Sequence, residues 1–139
     1  MKGKIVRFGV SMDEELIKKF DALLSRKGYS NRSEAIRDLI RESLVEEEWE
    51  EGKEVAGAIL FVYNHHKREL ADKILDIQHD YNKIIQSSLH IHLDHSNCLE
   101  VVVVKGEARG VRELYDKLHS VKGVKHCSLA RTSTGKGIV

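Results

Sequence analysis

The first segment of the chain alternates apolar and polar residues, and the next two segments repeat apolar residues at helical spacing. Between residues 4 and 12 the even-numbered positions are apolar and the odd-numbered positions are mostly polar or small, which predicts one half-buried strand. In residues 16–24, and again in residues 35–44, the apolar residues recur at the spacing of one helix face. Gly28 separates these two stretches and predicts a left-handed helix end.

Each predicted helix begins with a capping pair. Ser11 stands three residues before Glu14, and Asn31 stands three residues before Glu34. At this spacing each side chain can satisfy the other residue's backbone amide.

One strand and two helices in about 50 residues cannot bury their own apolar faces, because the strand has no partner for its backbone groups. Dimerisation through that strand is the simplest remedy.

Beyond Gly52 the periodicity predicts six further elements. They are a strand, a helix, two strands, a helix and a strand, over residues 55–63, 67–85, 87–93, 98–104, 110–121 and 124–131. This is the order of the ferredoxin-like split unit. The fold class is therefore α+β, with an N-terminal domain over residues 1–52, a ferredoxin-like βαββαβ domain over residues 53–131, and a loose polar tail over residues 132–139.

The composition is typical of a folded protein outside the membrane. Of the 139 residues, 41% are hydrophobic and 32% are charged, which is enough apolar sequence for a core. The longest apolar run, residues 55–63, is less than half of the roughly 20 residues that a membrane helix needs. The N-terminus lacks the layout of a signal peptide, and two distant cysteines are too few for a disulfide framework. We expect a soluble cytoplasmic protein with no membrane partner.

Charge is segregated along the chain although the net formal charge is only +1. Residues 1–41 carry ten basic and six acidic residues, whereas residues 42–52 carry six acidic residues and no basic one. The basic segment of residues 1–41 is thus separated by the acidic residues 42–52 from a mildly basic segment, residues 53–139.

The strand, helix, turn and second helix resemble a ribbon-helix-helix DNA-binding domain, whose second helix here opens with Asn-Arg-Ser-Glu-Ala-Ile-Arg at residues 31–37. In that family two chains pair their N-terminal strands and place the ribbon in the major groove of DNA. The resemblance implies base contacts from the outward strand positions Arg7, Gly9 and Ser11, of which Gly9 has no side chain. It also implies phosphate contacts around the start of the second helix, from Asn31, Arg32, Ser33 and Arg37.

A second cluster combines histidine and cysteine. Six of the eight histidines fall between residues 65 and 95, and His90 and His92 are followed by Cys98. If residues 93–97 form a turn, His92 lies opposite Cys98 and His90 lies opposite Glu100. Two imidazoles and a thiolate then lie together, which is a donor set for zinc, copper, nickel or cobalt that lacks one ligand. Glu100 lies beside this site and could accept a hydrogen bond from an imidazole N–H. The alternative is an ordinary polar sheet face with a buried cysteine.

Taken whole, the chain resembles the nickel-responsive repressors known as NikR, which join a ribbon-helix-helix domain to a ferredoxin-like (ACT-like) domain with the motif His-x-His-x5-Cys. That family has a histidine eleven residues before the pair, and His79 stands at this spacing from His90. The resemblance implies one Ni(2+) per subunit, held by His90, His92 and Cys98 of one subunit and His79 of a neighbouring subunit. The residues alone leave zinc and copper open, because such a donor set suits tetrahedral or square-planar geometry.

Weaker features lie outside this motif. Glu34 and Asp38 share a helix face, where the resemblance implies a second, weaker cation site, and a solvated acidic pair is the alternative. His65 and His66 stand at a strand-to-helix turn and could form an auxiliary metal site or contact the DNA backbone. Cys127 is interpreted as a packing residue.

The leading hypothesis is a nickel-dependent repressor, a homotetramer built as a dimer of dimers that binds operator DNA and controls nickel uptake genes. Metal at the tetramer interface would favour the arrangement of DNA-binding domains that fits both half-sites of the operator. One alternative is a metal-dependent enzyme with Cys98 as nucleophile and His90 or His92 as base. Against it stand the four-donor set and the separate basic N-terminal domain, which an enzyme of this size would not require. Another alternative is a repressor with structural zinc that senses a small ligand. We expect a regulator without enzymatic activity.

Overall fold

The computed structural model describes residues 3–139, which form two compact units. The first unit extends through Ile40 and the second runs from Arg41 to Val139. No helix among the described residues is long and apolar enough to cross a membrane. The elements in chain order are α1 Glu14–Lys27, α2 Arg32–Glu50, β1 Glu54–Tyr63, α3 Arg68–Asp80, β2 Ile85–His92, β3 Cys98–Glu107, α4 Ala108–His119 and β4 His126–Thr132.

The segment before α1 differs from the predicted strand. Residues 3–13 adopt neither helix nor strand in this single chain, and all of them are exposed. The side chains of Ile5, Val6 and Phe8 are 90%, 75% and 70% exposed. A lone strand has no neighbour for its amides and carbonyls, so this segment does not form a strand in the single chain. The sequence predicted dimerisation through this segment for the same reason.

The helix ends show one wrong prediction and two confirmed ones. Asp13, rather than Ser11, caps α1, and its carboxylate accepts a hydrogen bond from the Glu15 amide at 2.8 Å. Gly28 ends α1 in the left-handed conformation at φ 77°, as predicted. The Asn31 side chain accepts from the Glu34 amide at 2.9 Å, so it caps α2 as the sequence predicted.

The second unit is the predicted ferredoxin-like βαββαβ fold. Its four strands form one antiparallel sheet in the order β2-β3-β1-β4. The largest boundary difference is at α3, which ends at Asp80 instead of near Ile85. Tight turns replace the last helical turn there, with the Tyr81 amide bonded to the Gln78 carbonyl at 3.1 Å and the Ile84 amide to the Tyr81 carbonyl at 3.0 Å.

The two faces of the sheet differ in burial. One face packs against α3 and α4, and its fully buried side chains include Ile59, Phe61 and Val102, with Leu114 from α4. The opposite face carries exposed apolar side chains, Leu89, Ile91 and Val103, at 57%, 41% and 43% exposure. Strand alternation separates these two sets, because successive side chains point to opposite faces.

The residues after β4 are held to α2 within the second unit, although the sequence predicted a loose tail. The Trp49 indole donates to the Thr132 carbonyl at 3.0 Å, and the Arg41 guanidinium donates to the Val139 carbonyl at 2.9 Å. A turn around Gly135, which has φ 86°, directs the segment back, and the Gly135 amide donates to the Ser133 hydroxyl at 3.0 Å. The tail is therefore part of the fold of this unit.

Candidate metal centre and DNA-binding unit

The β2–β3 hairpin brings together three of the predicted metal donors and their acidic neighbour. In the register of this pair His92 lies opposite Cys98, and His90 lies opposite Glu100, which confirms the pairing predicted from the turn length. Opposite residues of an antiparallel pair point to the same face. The imidazoles and the thiol therefore share the face of the sheet that also holds the core.

Asp94 organises the turn that sets this register. Its Oδ1 atom accepts hydrogen bonds from the backbone amides of Ser96 and Asn97 at 2.8 and 2.9 Å, and its carboxylate also accepts from the Asn97 side chain. The Asn97 amide group holds the pKa of Asp94 below its ordinary value. The Lys125 ammonium in turn contacts the Asn97 side-chain oxygen. A braced turn of this kind fixes where His92 and Cys98 face each other.

Glu100 is a buried carboxyl beside His90. It is 7% exposed, and its Oε2 atom accepts a hydrogen bond from the Gln78 side chain at 3.0 Å. The His90 Nδ1 atom lies 3.7 Å from Glu100 Oε1. Burial raises the pKa of Glu100, while the His90 imidazole and the Gln78 amide lower it in part. This arrangement suits an outer carboxylate that orients a ligating imidazole.

Tyr63 contacts the other ring nitrogen of His90. The Tyr63 hydroxyl and His90 Nε2 are hydrogen-bonded at 3.3 Å, and the ring centroids are 5.8 Å apart. Burial raises the pKa of the Tyr63 hydroxyl, with a further rise from the nearby Glu100 carboxyl. Neither Tyr63 nor Gln78 was predicted from the sequence as part of the site. The available signals were that Tyr63 ends a buried strand and that Gln78 adjoins His79.

Cys98 is completely buried in the single chain, at 0% exposure. Burial and the neighbouring Glu100 carboxyl raise the pKa of its thiol, and a hydrogen bond from the Ile91 backbone lowers it in part. A metal ligates the thiolate form, so binding at Cys98 would release a proton.

Further histidines lie at the turn end of the hairpin. The His65 ring lies 4.1 Å from the His66 ring and 4.4 Å from the His92 ring, and the His66 ring lies 4.9 Å from that of His95. Burial and these imidazoles lower the pKa of His65, and its Nδ1 atom is buried without a hydrogen-bond partner among the described residues.

His79 lies on α3, outside the β2–β3 hairpin. It is exposed near the end of α3, beside a cavity of about 470 Å³ whose lining also includes Leu75 and Gln78. Across residues 3–139 of the single chain, no three His, Cys, Asp or Glu side chains are arranged as a metal-holding group. The chemistry of the hairpin donors still fits a transition metal, because two imidazoles and a thiol lie in register on one face.

The first unit presents the predicted DNA-contacting residues on its surface. Arg7, Gly9 and Ser11 are exposed in the segment before α1, and Asn31 and Ser33 are exposed at the start of α2. Apolar side chains of the same segment and of both helices line a groove of about 700 Å³, which includes Val6, Phe8, Val10, Phe20, Ile36 and Ile40.

Charged side chains of this unit have hydrogen-bond partners within the unit. Arg32 donates two hydrogen bonds to the Asp21 carboxylate of α1, at 2.9 and 2.8 Å. The two predicted second-cation residues have separate partners. Glu34 accepts from the Ser30 hydroxyl at 3.1 Å, and Asp38 accepts from the Tyr29 hydroxyl at 2.7 Å.

Comparison with known proteins assigns a family to each part of the chain. The family described as "Ribbon-helix-helix protein, copG family" matches residues 6–47. The family described as "NikR C terminal nickel binding domain" matches residues 56–132, which is more than half of the chain. The matches follow the sequence order of the predicted DNA-binding and ferredoxin-like domains.

Relatives match over nearly the full length. A protein of Thermococcus kodakarensis is 56% identical over 137 residues, covering 98% of this chain and 99% of the relative, and carries the name "Putative nickel-responsive regulator". A protein of Geobacter sp. strain M21 with the same name is 57% identical over 137 residues, with the same coverage. These relatives are named as regulators, which confirms the prediction that this chain is not an enzyme.

One solved structure supports the ferredoxin-like fold alone. An uncharacterized protein from Thermotoga maritima superimposes with a TM-score of 0.53 at 12% identity, covering 58% of this chain and 100% of that one. Its α+β architecture agrees with the predicted fold class. Together with the family matches and the His-x-His-x5-Cys hairpin, these comparisons show that the chain belongs to the family of nickel-responsive regulators with a ribbon-helix-helix DNA-binding domain.

Proposed function

We propose that this protein is a nickel-dependent transcriptional repressor that binds operator DNA and controls nickel uptake genes in the cytoplasm. The observation that carries the proposal is the β2–β3 register, which places His92 opposite Cys98 and His90 opposite Glu100. Together with His79 of a neighbouring subunit, His90, His92 and Cys98 would hold one Ni(2+) per subunit. The proposal takes the fourth ligand from another subunit because the family resemblance implies it, and because no three His, Cys, Asp or Glu side chains of the described single chain form a metal-holding group.

Two uncovered apolar surfaces support a homotetramer. In the first unit the groove beside residues 3–13 exposes side chains such as Val6 and Phe8, and the strand of a second copy would cover them. In the second unit the sheet face with Leu89, Ile91 and Val103 is exposed, and packing of another ferredoxin-like domain would bury it. A dimer of dimers uses both surfaces.

The residues around the centre have separate tasks. Cys98 and His92 supply donors from adjacent strands, while the Glu100 carboxylate, 3.7 Å from His90 Nδ1, helps to orient that ring. Gln78 holds the Glu100 carboxylate in place from α3. Nickel, when bound, supplies a centre to which donors of two subunits attach. Subunit contacts fixed in this way would favour one arrangement of the DNA-binding units, and a typical coupling tightens DNA binding about 5- to 150-fold.

A nickel titration of metal-free protein, followed by ultraviolet–visible absorption, tests the metal centre. We expect a thiolate-to-nickel band that saturates at one metal per chain. Cys98→Ala should abolish the band, and Cys127→Ala, which removes the other buried thiol, should keep it. An unchanged band in the Cys98→Ala protein would show that the ligand assignment is wrong.

DNA binding with and without nickel tests the regulatory part. We expect wild-type protein to protect an operator fragment only weakly without metal and tightly with nickel, and the Cys98→Ala protein to lose this response. A protein that binds zinc tightly and nickel poorly would instead favour the alternative of a structural zinc site.

A further inference from the structure

Arg32 at the start of α2 is held by an acidic residue of its own chain. Its Nε and Nη2 atoms donate to the two oxygens of Asp21, at 2.9 and 2.8 Å. This side-on fork is the geometry with which arginine also binds a phosphate group. The Asp21 carboxylate therefore takes the place of a phosphate at the guanidinium.

The pair lies at the surface where the proposed function puts DNA. The Arg32 and Asp21 side chains are 54% and 45% exposed, so both can reach solvent and a ligand. Asn31, the residue before Arg32, caps α2 by accepting from the Glu34 amide, and the other amides of the first turn have no carbonyl partner within the helix. The pairing raises the pKa of Arg32 and lowers that of Asp21, which agrees with a charged fork.

We propose that Asp21 withholds the charge of Arg32 from DNA, so that phosphate at this position is contacted by the α2 backbone amides and sequence-independent affinity stays low. This inference rests on the proposed function for the identity of the ligand. Asp21 acts as a residue that sets specificity, because a charge that neutralises any phosphate strengthens binding to every sequence equally. Removing the carboxylate charge releases Arg32 to the DNA backbone.

The salt dependence of binding to a random-sequence duplex measures this effect. The logarithm of the binding constant falls with the logarithm of salt concentration, with a slope of about −0.9 for each phosphate neutralised. Metal-free protein is used, so that the result does not depend on the nickel response. The probe is a duplex of about 30 base pairs without an operator, and binding is followed by fluorescence anisotropy.

We expect Asp21→Asn to bind this duplex more tightly than wild type, with a slope steeper by about 0.9 for each phosphate gained. Arg32→Gln should keep the wild-type slope, and the double variant should return to it. The matched control is Glu14→Gln, which removes one acidic charge from the same helix at an exposed pair with Lys18. Its slope should stay at the wild-type value. Circular dichroism of each variant checks that the helices are retained.

Four outcomes overturn the inference: an unchanged slope in Asp21→Asn, a flatter slope in Arg32→Gln, an unrestored slope in the double variant, or the same steepening in Glu14→Gln. A flatter slope in Arg32→Gln would mean that Arg32 already contacts phosphate in spite of Asp21. The result is separable from the proposed function. A steeper slope in Asp21→Asn together with no nickel response in wild type would remove the proposed function and leave the role of Asp21 standing.

Discussion

Trp49 and Thr132 are joined by a hydrogen bond from the indole Nε1 to the backbone carbonyl, at 3.0 Å. The bond connects the last turn of α2 with the end of β4, two elements that are 83 residues apart in the sequence. The ring is 2% exposed, and the Arg112 guanidinium lies 5.8 Å from its centroid. Within the second unit, Trp49 thus anchors the end of α2 to the end of β4.

Trp49→Phe should destabilise the protein by about 1 to 3 kcal/mol, because it removes this donor and leaves a smaller ring in a packed site. Urea unfolding of the metal-free protein, followed by circular dichroism, measures the change. Nickel binding should be retained, since Trp49 does not touch the β2–β3 donors. An unfolding midpoint equal to that of wild type would show that the bond contributes nothing.

Gly57 is fixed by a close approach between strands. A Cβ atom added at this position would lie 2.5 Å from the Ala130 carbonyl oxygen on β4. Gly57→Ala should therefore force the strands apart and lower the free energy of unfolding by about 1 to 3 kcal/mol. Gly9→Ala is the control, because a Cβ at Gly9 meets no atom within 4 Å. Equal denaturation midpoints for the two variants would contradict the steric argument.

The hairpin was predictable because strand alternation and a five-residue turn leave a single register for His92 and Cys98. The Tyr63 contact with His90 was not predictable, since it depends on the packing of β1 beside β3 and not on spacing along one strand. The Asp13 cap was missed because the spacing of Ser11 and Glu14 satisfies the same rule two residues earlier. The N-terminal strand was predicted from its alternation, but the chain alone offers no neighbour to pair with it.

Cys127 should make stability depend on alkaline pH. Burial raises the pKa of its thiol to about 11 from an ordinary value of 9.0. Between these values the unfolded chain loses the proton while the folded chain keeps it, so stability is fully present below pH 9 and falls as the pH rises toward 11. Urea unfolding from pH 8 to 11 should show a smaller decline in Cys127→Ala than in wild type. Parallel curves would show that the thiol is not desolvated.

Two substitutions at Asn31 distinguish its role as a helix cap from its proposed contact with DNA. Asn31→Ala should cost about 0.5 to 2 kcal/mol, because the Glu34 amide loses its acceptor. Asn31→Asp keeps a capping oxygen and should retain the wild-type stability, but its charge should weaken DNA binding by repelling phosphate. Thermal unfolding and anisotropy with duplex DNA measure the two effects. Wild-type DNA affinity in Asn31→Asp would place the phosphate elsewhere.

Glu100 should control metal affinity without being a ligand. Its carboxyl lies 3.7 Å from His90 Nδ1 and is held by Gln78, so Glu100→Gln keeps the shape of the site and removes the charge that orients the imidazole. We expect nickel to bind about 10- to 100-fold more weakly, as for other partners of ligating imidazoles. Glu54→Gln is the matched control, since that carboxyl at the start of β1 is 51% exposed and pairs with Lys105 and Lys136. Competition with a chelator of known nickel affinity measures both variants.

If the thiolate-to-nickel band persists in Glu100→Gln and only the affinity falls, Glu100 acts through His90. An affinity equal to that of Glu54→Gln would mean that the buried carboxyl has no part in metal binding.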